Sequence, residues 1–505
     1  MRITNKIMQS NTLYNINQNK VSQDKLNTQI TTRKKVNKPS EDPVVAIRAL
    51  RLRSNLNQVS QYYEKNIPDA EQWLELTETA IKTTTDVITN MISECQKGAK
   101  GSLTTSDRAT ILESLKQLRE EVYSTGDSDY AGRTIFTGYR TDSKLSFQAN
   151  ETQPYSITEQ ITNGAVSTIT HVKTGNIYTV NESNYMTGTF SSEQDIGSLQ
   201  IHRIRLAYDN LDDGTSVTFD RVMGYNPDGT PDIQPYMTPV TVSKSASPDP
   251  YELVAANPDN VYFVPETGEI LLGDNKYQDL MSLSPETELT VTYSKNEWNR
   301  GDLRPEHYFA CESNGVKYNE SYLTENGRNN KQVIAYDVGF NQTLEINTTA
   351  DELYDPGIAR AVDEMIGMLS QIEQIDDAIG KVEKMVDNPA YDQDYVTLRM
   401  DALKKAQAYL NDTIQKRFES GITEFQGYLN QANEALTKAG NRSLRLELVE
   451  NRLSAQKLGF EELTSENEDA DLAEVAVELK SAQLTYDASL AATGKMLSTT
   501  LLNYL

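Results

Sequence analysis

The chain has 505 residues, with 48 Lys and Arg against 73 Asp and Glu and a formal net charge of −25, a surplus that repels nucleic-acid phosphate and argues against that partner. Two cysteines (Cys95, Cys311) and three histidines (His171, His202, His307) leave little room for a disulfide scaffold or a zinc centre. Hydrophobic content of 37% and a mean hydropathy of −0.58 are too low for one large core and suit several slim domains, about three by length.

Residues 1–30 carry Arg2, Lys6, Lys20 and Lys25 without the apolar run of a signal peptide, so none is expected. No apolar stretch approaches the roughly 20 residues of a membrane span. Membrane insertion is therefore not expected either.

Apolar positions Ile3, Ile7, Leu13, Ile16, Leu26 and Ile30 are loosely helical, but the stripe is thin. Such a helix is weak alone and needs a partner. The run Lys38-Pro39-Ser40-Glu41-Asp42-Pro43 interrupts it, with Asp42 as the expected N-cap of the next helix and Pro43 in its first turn. That helix is predicted to run to about Asn66, with Pro68 starting another that reaches about Gln96. A further helix is expected from Ser106 to near Gly126, then a hairpin over 134–147 with Gly138 near its turn.

Residues 151–340 hold 11 of the 16 prolines and 13 of the 26 glycines. They read as short strands and turns, an all-β insertion. Helix is expected again from Ile358, is broken at Asp387-Asn388-Pro389, and runs from about Tyr395 to Ser454. In the last helix Leu472, Ala476, Leu479, Gln483, Tyr486, Leu490, Thr493 and Leu497 alternate spacings of 4 and 3, a heptad-like seam.

Two partner-dependent ends are most economically satisfied by pairing with each other. Charge agrees, since residues 1–53 hold 11 basic and 3 acidic side chains while 461–471 hold six acidic and no basic ones. An antiparallel pairing would bring Arg33, Lys34, Lys35 and Lys38 near Glu461, Glu462, Glu466, Glu468 and Asp469.

No catalytic set stands out. Arg300-Gly301-Asp302 and the loop Asp228–Asp232 read as plain turns, and Cys95 as a packed helix residue. His307, between Glu306 and Tyr308, reads as a solvent-facing polar residue before an acid or base. No catalytic residue, metal or cofactor is expected. The basic clusters Arg33–Lys38 and Arg48–Arg53 are interleaved with Leu and Ala, which favours a helix or subunit surface over a lipid or nucleic-acid site.

Three segments together carry a resemblance. They are Lys35-Val36-Asn37-Lys38-Pro39-Ser40-Glu41-Asp42-Pro43 with Arg48–Ser54, then Gly132-Arg133-Thr134-Ile135-Phe136-Thr137-Gly138-Tyr139, then Glu468-Asp469-Ala470-Asp471-Leu472-Ala473-Glu474 with the ending Leu501–Leu505. The chain resembles the hook–filament junction family (hook-associated protein 3) of the flagellin superfamily, over about 1–150 and 395–505. Thr31-Thr32-Arg33 stands where that family has Ser-Ser-Gly.

The resemblance implies a mainly α fold with an inserted β domain. It implies a terminal coiled coil from 1–40 and 465–505, a helical-bundle domain with a β-hairpin from 41–150 and 350–464, and an outer β-rich domain at 151–349. Pro39, Asp42 and Pro43 would form the joint. Ile3, Ile7, Leu13, Ile16, Leu479, Tyr486, Leu490, Leu497 and Leu501 would make assembly contacts, with Arg33, Lys35 and Lys38 pairing with Glu461, Glu462 and Glu466. The implied role is a structural adaptor between hook and filament, extracellular in the flagellum and exported by the type III route without a signal peptide. Implied partners are copies of itself in a ring, an adjacent hook-associated protein, flagellin and an export chaperone. The rival readings are a flagellin, or an enzyme or glycan-binding activity in the outer domain.

Overall fold

The computed structural model describes residues 5–175, 177–187, 196–212, 217–324 and 332–498. Among them the helices are α1 (Asn5–Thr32), α2 (Pro43–Gln61), α3 (Ile67–Gly98), α4 (Thr105–Gly126), α5 (Glu182–Thr187), α6 (Pro250–Ala256), α7 (Asp274–Met281), α8 (Gly357–Glu383), α9 (Gln393–Glu468) and α10 (Leu472–Ser498). The strands are β1 (Asp129–Tyr130), β2 (Arg133–Thr134), β3 (Glu151–Ile161), β4 (Val166–Lys173), β5 (Gly197–Arg205), β6 (Thr218–Tyr225), β7 (Pro231–Met237), β8 (Val240–Thr241), β9 (Val261–Val264), β10 (Glu269–Leu272), β11 (Leu289–Trp298), β12 (Ala310–Ser313), β13 (Val316–Tyr318), β14 (Ala335–Gly339) and β15 (Gln342–Glu345). The fold is thus mainly α, with long helices toward both ends and a β region inserted between them.

The chain divides into two compact units. One holds residues 1–71, 336–344 and 444–505, and the other 72–335 and 345–443.

In the first unit α1 and α10 pair, and α2 begins as its sequence dictates. Asp42 accepts from Val44 N at 3.0 Å and Val45 N at 3.1 Å, with Pro43 in the first turn. Pro68 does not restart the helix after a gap. A π-turn over Tyr62–Asn66 carries α2 into α3, with Ile67 N bonded to Tyr62 O. That wider turn accommodates a proline that cannot donate.

In the second unit α8 shows why an apolar stripe makes a buried helix. Ile358, Ala361, Val362, Met365, Leu369, Ile372, Ile375, Ala378 and Val382 recur at three and four residues and are buried. Trp73, Ile81, Ile88, Met91 and Cys95 of α3 are likewise buried.

The β region forms two sheets. One has the order β13-β12-β3-β11-β6-β7, the other β4-β5-β10-β9-β8. Pairings are antiparallel, save that β8 runs parallel to β9. Phe147, Tyr155, Ile157, Phe219, Val291 and Trp298 meet Ile204, Phe263, Ile270 and Leu272 in one core, so the sheets pack face to face. Behind the second sheet, Ile201, Tyr262, Val264 and Leu271 pack with Tyr251 and Val254 of α6. Burial on both faces explains the unbroken apolar runs of β9 and the end of β10.

Two local expectations change. The hairpin lies at β1–β2, turning at Ala131 and Gly132, rather than over 134–147. Residues 134–147 are successive turns, closed by Thr134 N to Thr141 O at 2.8 Å, with Gly138 at φ +61°. His307 is buried rather than solvent-facing, because the turn at Pro305 tucks its ring against Lys144 O at 3.1 Å.

Candidate assembly interface

The two terminal helices pair along a heptad seam. On α1, Thr12, Ile16, Asn19, Gln23, Leu26 and Ile30 are buried or half-buried at spacings of 4 and 3. On α10, Val475, Leu479, Ala482, Tyr486, Ser489 and Thr493 follow the same rhythm. Asn19 Nδ2 donates to Ser489 Oγ at 3.4 Å and Gln23 Nε2 to Ala482 O at 2.9 Å, so the helices run antiparallel. The seam is half polar, and Leu26 and Val475 are its only fully buried apolar members among the described residues.

The hinge ends of both helices are fastened through backbone and charge. Lys35 N donates to Glu468 O at 2.6 Å and Ala470 N to Arg33 O at 3.0 Å. Arg33 itself adopts the left-handed conformation, φ +61°, that a glycine would take more cheaply. Glu468 is 5% exposed and accepts from Arg53 through both guanidinium arms, with Lys34 Nζ at 3.3 Å. Lys34 also reaches Asp469 at 2.7 Å. These hydrogen bonds hold the Glu468 and Asp469 carboxyls below their ordinary values, against a desolvation that raises Glu468. Asp471 then caps α10 through Ala473 N at 2.9 Å and Glu474 N at 3.2 Å.

Of the residues singled out from sequence, Ile16, Leu479 and Tyr486 lie in the seam. Ile7 and Leu13 are 51% and 58% exposed, and Leu490 is 44% exposed. Ile3 and Leu501 fall outside the described residues, as does the side chain of Leu497. Arg33, Lys35, Lys38, Pro39, Glu462 and Glu466 are exposed, while Glu461 lies 3.8 Å from Lys457. Pro39 sits in the turn that Glu41 N closes onto Lys38 O at 2.9 Å, directly before the Asp42 cap.

The sequence reading missed the densest charge cluster, which lies in the second unit. Arg203 and Arg205 of β5 point from one face toward Glu364 of α8. Arg417 Nε reaches Glu364 at 3.0 Å, while Glu424 accepts from Arg205 at 2.7 Å and Arg417 at 2.9 Å. Arg203 also pairs with Glu269. Burial alone would raise Glu364, but the three guanidiniums hold it down at about 2. A cleft of about 880 Å³ runs alongside, lined among others by Glu159, Tyr308, Asp355 and Tyr428. Its arginines pair with carboxylates, Arg203, Arg205 and Arg417 with Glu364 and Arg360 with Asp209 at 3.0 Å. The Arg-x-Arg alternation on one strand was the available signal, but its partners lie some 160 and 220 residues away.

The remaining chemical candidates are packing elements. Burial pushes the Cys95 and Cys311 thiols up to about 12 and lowers the His307 ring. Asp302 of the Arg300–Asp302 turn accepts from Asn299 N at 2.9 Å, with Gly301 at φ +91°. Asp228 accepts from Thr230 N at 3.0 Å in an Asx turn. Among the described residues no group of three or more His, Cys, Asp or Glu is arranged to hold a metal ion, and no helix is long and apolar enough to cross a membrane.

The family model for the bacterial flagellin N-terminal helical region matches residues 3–141. The flagellar hook-associated protein 3 of Salmonella typhimurium is 30% identical over 177 residues, 34% of this chain and 55% of that protein. Its Escherichia coli namesake is 29% identical over 143 residues, 28% of this chain and 45% of that protein. The chain thus spans about half the length of the curated relatives it matches. A crystal structure of FlgL from Xanthomonas campestris covers 82% of this chain and 99% of its own at 10% identity, with a TM-score of 0.28, too low to bear on the fold. Residues 3–141 are therefore similar to the bacterial flagellin N-terminal helical region, and the chain resembles the flagellar hook-associated proteins 3.

Proposed function

We propose that this chain is a structural component of the bacterial flagellum, an adaptor that joins the hook to the flagellin filament. The observation that carries this reading is the antiparallel α1–α10 pair. Its seam is half polar, and exposed apolar residues stand outside it, with Ile7, Tyr14 and Val21 at 51%, 64% and 65% exposure. These three recur every seven residues on the side of α1 away from α10. A helix pair of that kind is completed by neighbours rather than by its own chain.

In this reading copies pack axially in a ring, between an adjacent hook-associated protein and flagellin. Residues 1–40 and 465–505 form the inner coil, 41–150 and 350–464 the surrounding bundle, and 151–349 the outer domain. Pro39, Asp42 and Pro43 set the joint between coil and bundle. The role is mechanical rather than enzymatic, and the thin α1 suits a chain exported unfolded with a chaperone and folded on assembly.

A chain ending at Asn467 tests this. It should be made and remain soluble, yet fail to support filament growth in cells lacking the full protein. Restored filaments would overturn the reading. Polymerisation of the full chain into long filaments on its own would favour a flagellin instead.

A further inference from the structure

α2 is apolar on two opposite sides. Val45, Leu52, Leu56 and Val59 turn inward, half-buried or buried, and Asn467 Nδ2 donates to Val45 O at 3.2 Å. On the opposite side Val44, Ile47 and Leu50 are 71%, 54% and 66% exposed. Arg48 and Arg51 flank them, and α2 contains no acidic residue. A helix apolar on both sides is one that is covered on both sides.

The chain carries a complementary face. Away from the seam with α1, α10 presents Val477 and Leu484 at 71% and 62% exposure, flanked by exposed Glu474 and Glu478. Residues 461–478 hold eight acidic side chains and no basic one. Lys34 and Arg53 are already ion-paired with Glu468 and Asp469. Arg48, Arg51, Glu474 and Glu478 enter no ion pair among the described residues. The α2 face from Val44 to Arg51 is ~12 Å of helix and the α10 face from Glu474 to Leu484 ~16 Å, so the first fits within the second.

We propose that the outer face of α2 in one copy docks on the Glu474–Leu484 face of α10 in a second copy. Val44, Ile47 and Leu50 would pack on Val477 and Leu484, with Arg48 and Arg51 toward Glu474 and Glu478. The contact repeats between copies the pairing that Arg53 and Glu468 make within one. Its two patches differ, so the contact is head-to-tail and propagates from copy to copy, closing as a ring if the rotation allows. This inference rests on the proposed assembly role and specifies the surfaces that role uses.

The test co-produces two full-length variants, Ile47→Cys and Val477→Cys, in cells lacking the wild-type chain, followed by mild oxidation of isolated flagella. Cys95 and Cys311 are buried and give little background. A disulfide-linked dimer containing one of each variant is expected, and it can form only between copies. Adding Arg51→Glu to the first variant should abolish it, and adding Glu478→Arg to the second should restore it. Absence of the mixed dimer, with both variants incorporated and filaments attached, overturns this inference and leaves the adaptor role standing. So does a disulfide formed only to a different flagellar protein. Absence of the unsubstituted chain from isolated flagella overturns both.

Discussion

Glu364 is the keystone of the buried charge cluster, and replacing it with Gln is the sharpest test of the second unit's energetics. Its side chain is 12% exposed, against 6% for Arg203, 18% for Arg205 and 9% for Arg417. Three arginines face three glutamates, Glu269, Glu364 and Glu424, so the cluster is neutral. The substitution keeps the volume but leaves a net buried positive charge. Removing one partner of a buried pair costs about 3–5 kcal/mol. Glu269 and Glu424 still engage the arginines, which places this case near the lower figure, ~3 kcal/mol. The assay is urea unfolding followed by Trp73 and Trp298, which are 1% and 2% exposed and report on the bundle and the β core. Asp412→Asn, in the exposed pair with Lys416, is the control and should leave the midpoint unchanged. The Glu364 carboxyl is depressed when folded, so its contribution is present above about pH 4.5 and is lost as pH falls toward about 2. A loss under ~1 kcal/mol for Glu364→Gln would refute the view that these charges hold sheet and helices together.

Three further outcomes are expected. Leu26→Ala should weaken the α1–α10 pair by about 2 kcal/mol, the low end for a buried leucine, because the seam is thin; hydrogen exchange of the α10 amides near Leu479 reads it. Burial pushes Glu159 up to about 7, so the folded state favours its uncharged form; that stability is full below about pH 4.5 and is lost as pH rises through about 7. Glu159→Gln should therefore flatten the fall in Tm between pH 5 and 8. Gly268→Ala should destabilise the β region, since φ is +58° and a Cβ would lie 2.0 Å from Tyr208 O. The left-handed backbone alone costs about 1–2 kcal/mol there, and the collision adds to it, read as a lower Tm.

The architecture was readable because its signals are local. Proline spacing separated helix from strand, and Asp42-Pro43 announced the start of α2. The terminal pairing followed from two weak helices of opposite charge. Which face of each helix would be inside was less readable. Hydrophobicity drew attention to Leu472 and Leu490, yet Ala482, Ser489, Asn19 and Gln23 occupy the seam. A seam built partly from side-chain hydrogen bonds hides from an apolar count. Pro68 looked like a break, since nothing in the sequence marks a π-turn. The Glu364 cluster was invisible for another reason. Its residues come from β5, β10, α8 and α9, and only the tertiary fold brings them together.

The role proposed for this chain is to join hook to filament. Electron microscopy of cells lacking it tests that most directly. Hooks without filaments, with flagellin shed into the medium, are expected, and re-expression of the full chain should restore attachment. Filaments of normal number and length in its absence would contradict the claim.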